Sequence, residues 1–131
     1  MTDAGAERTF WLKEQLGFTI ERGDGRASAT IVCDERHLNP HGTVHGAVVF
    51  ALVDTAMGAA TMSVLDESSL CATIEIHTRF LEPVFAGGLR ADVRVVKAGR
   101  RIVHLEADVT DDRQRSVARA SGSFAVIPRS G

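Results

Sequence analysis

From residue 69 to residue 127, apolar and polar side chains alternate. Ile74, Ile76, Thr78 and Phe80 fall on one face of an extended chain, and Thr73, Glu75, His77 and Arg79 on the other. After Gly87-Gly88 the rhythm returns as Leu89, Ala91, Val93 and Val95 against Arg90, Asp92 and Arg94. It recurs as Val103, Leu105, Ala107 and Val109 against His104, Glu106 and Asp108. It recurs again as Ala118, Ala120, Gly122, Phe124 and Val126 against Arg119, Ser121 and Ser123. Period two marks strands with one buried face. Pro83, the Ala-Gly-Arg-Arg stretch 98–101 and Asp111-Asp112 break the runs where turns belong. Upstream, Ala27, Ala29, Ile31 and Cys33 alternate with Ser28, Thr30 and Val32, and the Gly-Asp-Gly stretch 23–25 joins them to residues 18–21 as a hairpin.

Two stretches follow another pattern. Residues 4–16 carry Phe10, Trp11, Leu12 and Leu16 with no breaker after Gly5, which predicts a short helix stopped by Gly17. Residues 45–65 predict a long helix rich in small side chains: Gly46, Ala47, Ala51, Ala56, Gly58, Ala59 and Ala60. Between hairpin and helix, Asn39-Pro40 and Gly42 make residues 34–44 a loop. The order is helix, hairpin, long helix, then four strands joined by short connections, which imply antiparallel pairing. The apolar face of the sheet must receive the long helix. One domain over residues 1–131 is expected, of the α+β class, with an antiparallel sheet wrapped around a central helix.

Composition sharpens this picture at one place. The chain has 131 residues, 24% of them charged, so 23 residues should hold about five or six charges; residues 43–65 hold one, Asp54. The stretch carries too many polar groups (Thr43, His45, Thr55, Thr61, Ser63) for a membrane span of ~20 apolar residues. It reads instead as a helix buried in a soluble protein. A net charge of −2 argues against nucleic-acid binding. Cys33 and Cys71 form no paired motif and suit reduced thiols in the cytoplasm. The first ten residues carry early acids and no apolar core, so no secretory signal is expected.

Asp54 is the first candidate for chemistry. A lone carboxylate among apolar residues is costly unless paired or used. The second is Gly46, where the stretch His-Gly-Thr-Val-His-Gly leads into the helix. A helix start exposes unpaired N–H groups, and a residue without a side chain lets a carbonyl oxygen approach one of them. Asn39 is the third; a loop Asn commonly bonds its own turn, and otherwise orients a water or a carbonyl. His37, His41 and His45 are spaced four apart as zinc ligands on a helix would be, but Pro40 and Gly42 rule out a helix there, so no metal is expected.

The stretch from Asn39 to Ala60, NPHGTVHGAVVFALVDTAMGAA, resembles the acyl-CoA thioesterases of the hotdog fold, phenylacetic-acid-degradation type. Their pattern is Asn, then His-Gly-Gly at a helix start, then Leu-x-Asp further along that helix. The likeness covers about residues 37–127, while residues 1–36 agree only in layout. Ala47 replaces the second Gly, and the hydroxyl residue opening the next strand falls at Thr73. The resemblance implies hydrolysis of an acyl-CoA thioester to free acid and coenzyme A, without a cofactor. Asp54 would attack the thioester carbonyl or activate water, Gly46 N–H would polarise the carbonyl, Asn39 would hold the attacking or leaving group, and Thr73 would position water. His45 would pack at the helix entrance. Arg100 and Arg101, at a turn with Lys97, are candidates for coenzyme A phosphates, with Arg119 and Arg129 as further cations. His77 and Arg79 would line the thioester groove or a subunit interface. A non-catalytic acyl-CoA or acyl-carrier binding module is one alternative, although a binder has no need of Asp54. A dehydratase is the other, although such enzymes use a His with an acid and no His occupies the middle of this helix.

Helix geometry adds a constraint. Eight residues separate Gly46 from Asp54, which is ~12 Å along a helix and ~80° in facing direction. One helix cannot easily aim both at one carbonyl, whereas two antiparallel copies can. A homodimer with shared sites is expected, pairing further into a homotetramer, with no nucleic-acid or membrane partner.

Overall fold

A computed structural model of the chain describes residues 8–130. Its elements are α1 (Trp11–Leu16), β1 (Thr19–Gly23), β2 (Arg26–Cys33), α2 (Gly46–Met62), β3 (Ser69–Phe80), β4 (Gly87–Ala98), β5 (Ile102–Asp111) and β6 (Ser116–Pro128), with a 3₁₀ turn at Glu35–His37. The strands form one antiparallel sheet in the order β1-β2-β4-β5-β6-β3, with α2 packed on its inner face. The expected α+β architecture, a sheet wrapped around a central helix, is what forms.

The alternation decides which side chains meet the helix. Leu89, Ala91 and Val93 of β4, Val103, Leu105, Ala107 and Val109 of β5, and Ala118, Ala120 and Phe124 of β6 are buried against it. Arg90, Asp92, Arg94, His104, Glu106 and Arg119 point outward, and the outer face carries the ion pairs Arg90–Asp92 and Arg94–Glu106. Asp24 and Gly25 close the β1–β2 hairpin, with Gly25 at φ +68° as such a turn requires.

Four expectations change in detail. The first helix begins at Trp11 rather than about residue 4; residues 8–10 are not helical, and residues 1–7 lie outside the described residues. It has no side-chain cap and none of its residues is buried, so little favours a longer helix. The second is the long helix, which runs from Gly46 to Met62, inside the expected 45–65. His45 is its cap, and Ser63 ends it by donating to Ala60 O at 2.6 Å and accepting from Gly25 N at 2.9 Å. Third, β3 does not pair with its successor β4. It pairs with β6, and residues 81–86 cross to β4, which lies three strands away. That is roughly 14 Å at ~4.8 Å per strand, within the ~20 Å that six extended residues can span. The link is pinned where Val44 N donates to the buried Val84's carbonyl at 2.7 Å.

The fourth change concerns burial of α2. Val48, Val49, Leu52, Val53, Ala56, Met57, Ala59 and Ala60 pack inward. Ala47, Phe50, Ala51, Asp54, Thr55 and Gly58 form a stripe that the sheet does not bury, with Phe50 39% exposed. The helix is apolar nearly all round, yet its own sheet covers only one side. Asp54 therefore lies half-buried on the open stripe, not in the core.

Candidate active site

Strict alternation puts Thr73 on the outward face with Glu75 and His77. The structure puts it inward. A β-bulge between Thr73 and Glu75 shifts the register, so Thr73 stands opposite the core residue Phe124 and Glu75 opposite Ser123. The extra residue reverses the phase of β3. Thr73 thereby faces α2, and its hydroxyl donates to Asp54 Oδ1 at 2.7 Å. Two residues that the sequence put forward for one site are joined by a direct bond. Nearby, the Cys71 thiol is pushed above its usual range, mainly by burial and further by the negative charge of Asp54.

Gly46 is the first residue of α2, so its N–H has no acceptor within the helix. A Cβ there would lie 3.2 Å from Cζ of Phe80, at the end of β3. The Phe80 ring lies against bare backbone, and it is itself 56% exposed. Sequence reading placed Phe80 only in an apolar lane; nothing local signals that its ring covers the helix start.

The loop before α2 is tightly bonded. Asn39 Oδ1 accepts from His41 N at 2.9 Å and Thr43 N at 3.2 Å, and its Nδ2 donates to Thr43 Oγ1 at 2.8 Å. This is the turn-bonding arrangement common for a loop Asn. One amide hydrogen remains beyond these bonds. His45 caps α2: its Nδ1 accepts from Ala47 N at 2.9 Å, placing it at the helix entrance. His37 is fully buried and anchors the loop at both ends. Its Nδ1 accepts from Asp34 N at 2.9 Å, which leaves Nε2 to donate to Leu16 O at 2.8 Å, while its carbonyl accepts from His45 N at 2.8 Å.

The other candidates stand apart. Arg100 and Arg101 are exposed on the β4–β5 turn. His77 and Arg79 lie on the outer face of the sheet, on the opposite side from Asp54. There they border a broad, shallow depression of about 1060 Å³ shared with Arg94, Asp108 and Arg119. The structure does not bring His77 to Asp54. Among the described residues no helix is long and apolar enough to cross a membrane.

The sequence profile of the thioesterase superfamily matches residues 41–118, which take in Gly46, Asp54 and Thr73. The chain belongs to the thioesterase superfamily. It is 32% identical to the acyl-coenzyme A thioesterase PaaI of Escherichia coli over 105 residues, covering 79% of this chain and 72% of that protein. The solved structure of the E. coli PaaI protein superposes with a TM-score of 0.82 at 28% identity, over 89% of this chain and 84% of that one. The Haemophilus influenzae thioesterase HI1161 superposes with a TM-score of 0.84 at 26% identity, over 89% and 82% of the two chains. The fold is the hotdog fold of these thioesterases, and the chain is a thioester hydrolase of the PaaI-like type.

Proposed function

We propose that this thioesterase hydrolyses acyl-CoA thioesters to the free acid and coenzyme A, with Asp54 as the reacting carboxylate. The observation that carries the assignment to Asp54 is its bond from Thr73, because the chain spends a β-bulge to aim that hydroxyl at the open side of the helix. Asp54 attacks the thioester carbonyl or takes a proton from attacking water. Thr73 holds the carboxylate in one orientation and lies beside the path of that water. The Gly46 N–H, at the positive end of the helix, stabilises charge on the carbonyl oxygen. The free amide hydrogen of Asn39 is available to the attacking or leaving group, and His45 fixes the helix start that presents Gly46. Arg100 and Arg101, exposed on the β4–β5 turn, are the cations we assign to the coenzyme A phosphates. His77 is not assigned to the thioester.

The working unit in this reading is a homodimer. Gly46 and Asp54 are separated by two helical turns on one chain, and the open apolar stripe of α2 lies beside the unpaired edge of β3. A helix that is apolar on all sides belongs in an interior. A second copy set antiparallel covers the stripe and brings its Gly46 to the first copy's Asp54. The outer charged face leaves room for two dimers to pair as a tetramer. The test is a panel of acyl-CoAs with a thiol reagent reporting released coenzyme A, run on wild type and Asp54→Asn. Turnover of at least one acyl-CoA, reduced by ~10²–10⁴ in the variant, is expected for loss of the acid–base group. Near-equal turnover by Asp54→Asn would remove Asp54 from the mechanism.

A further inference from the structure

Among the described residues, Phe50 is the one large apolar side chain of α2 that the chain's own sheet leaves exposed. It stands on the open stripe, four residues past Gly46 and four before Asp54. Each reactive group therefore lies about one helical turn away, ~6 Å along the axis. The rest of the stripe is small or polar: Ala47, Ala51, Asp54, Thr55 and Gly58. An aromatic side chain on a helix leans back over the preceding turn, which carries the Phe50 ring toward the level of Gly46.

We propose that Phe50 limits the length of the acyl chain this enzyme accepts. The inference rests on the reading of the site as an acyl-CoA hydrolase shared by two antiparallel copies. When Gly46 of one helix meets the partner's Asp54, the two-fold axis passes residue 50, the midpoint of 46 and 54. Each Phe50 then approaches the partner's Phe50 across that axis. Packed helices lie ~8–10 Å apart, which leaves no room for coenzyme A between them. Coenzyme A leaves at the helix start, where Phe80 is open to solvent. The acyl chain takes the other direction, along the stripe and toward the axis, where the two Phe50 rings stop it. The ~6 Å from Gly46 to Phe50 accommodates about four carbon–carbon bonds of ~1.5 Å, and the backward lean of the ring shortens the space further. The favoured class is therefore short acyl groups of about four carbons or fewer. A small residue at this position, like Ala47 and Ala51 beside it, would leave the stripe open to longer chains.

The experiment measures kcat/KM for butyryl-CoA and octanoyl-CoA with wild type, Phe50→Ala and Phe50→Leu. Calorimetry with the non-hydrolysable methylene ketone analogues of the same two acyl groups gives their affinities in parallel, and light scattering reports the oligomeric state. Wild type should favour the butyryl group. The octanoyl-to-butyryl ratio should rise by ~10-fold or more in Phe50→Ala and by less in Phe50→Leu, in both measurements, because even one methylene in an apolar pocket is worth ~10-fold or more. An unchanged ratio in Phe50→Ala overturns the proposal, as does a wild type that prefers the octanoyl group. So does an equal loss on both acyl groups accompanied by dissociation of the dimer, which would make Phe50 a subunit contact only. If wild type hydrolyses neither thioester while the binding ratio shifts as expected, the hydrolase reading falls and the role of Phe50 stands.

Discussion

Gly46→Pro removes the donor itself from the helix start while respecting the backbone there. Gly46 is the first helical residue, the position where Pro is best tolerated because that N–H has no helical acceptor. The preceding residue, His45, has φ −63° and ψ 135°, the extended conformation that a following Pro demands. Pro restricts the unfolded chain and so favours folding by ~0.4–1 kcal/mol at a compatible site. Against this, the new Cβ lies 3.2 Å from the Phe80 ring, which must yield by a few tenths of an ångström. At 56% exposed, the ring has room to do so. The two effects nearly cancel, leaving a net change within ~1 kcal/mol and a melting shift of about 4 °C or less. Turnover should respond very differently, since loss of one oxyanion donor costs ~10²–10³ in kcat. Thermal melting by circular dichroism and coenzyme A release are read on the same preparation. Gly46→Ala is the control: it introduces the same Cβ contact but keeps the N–H, and should stay within about tenfold of wild type. A Gly46→Pro enzyme that melts normally and turns over within threefold of wild type would refute the oxyanion role. Equal losses in the Pro and Ala variants would assign the effect to crowding against Phe80.

Mixing Gly46→Pro and Asp54→Ala subunits tests the shared site. With random exchange, half the dimers are mixed and each has one intact site, so roughly a quarter of wild-type activity should return; sites confined to one chain return none. Thr73→Val removes a hydrogen bond to a charged group, worth ~1.5–3 kcal/mol, so kcat should fall by about 10- to 100-fold while Thr73→Ser retains most of it; equal kcat in the Val variant discards the positioning role. Gly122→Ala should destabilise by ~1–3 kcal/mol in urea titration, because the added Cβ would lie 2.6 Å from Sδ of the buried Met57 and 3.3 Å from the Glu75 carbonyl. Burial first, with the Asp34 charge next, pushes the Cys33 thiol up to about 11. A raised thiol pKa means less thiolate below it, so native protein at pH 7.5 should resist iodoacetamide at Cys33 and lose that protection in denaturant, as mass spectrometry of the alkylated peptide would show.

Much of the fold was legible because its signals are local. Alternation set the inward residues of β2, β4, β5 and β6, and Asp24-Gly25 marked the hairpin. The scarcity of charge over residues 43–65 marked α2 and singled out Asp54. Other features depend on contacts distant in sequence. The 81–86 crossover follows from how far the sheet wraps, which no turn residue encodes. The outward placement of His77 was legible, but its separation from Asp54 by the sheet required the two faces to be known. His37, whose spacing suggested a metal ligand, has both ring nitrogens committed to backbone groups on α1 and the loop.

By itself the sequence determined the element types, the faces of the regular strands, and the three residues Asn39, Gly46 and Asp54 as candidates. Only the tertiary structure decided which side of α2 remained open, because a helix apolar all round carries no periodic signal for its buried face. It also decided that Thr73 meets Asp54. Side-chain direction in a strand reverses with every residue, so the bulge at Ile74 inverts the pattern that residue counting relies on.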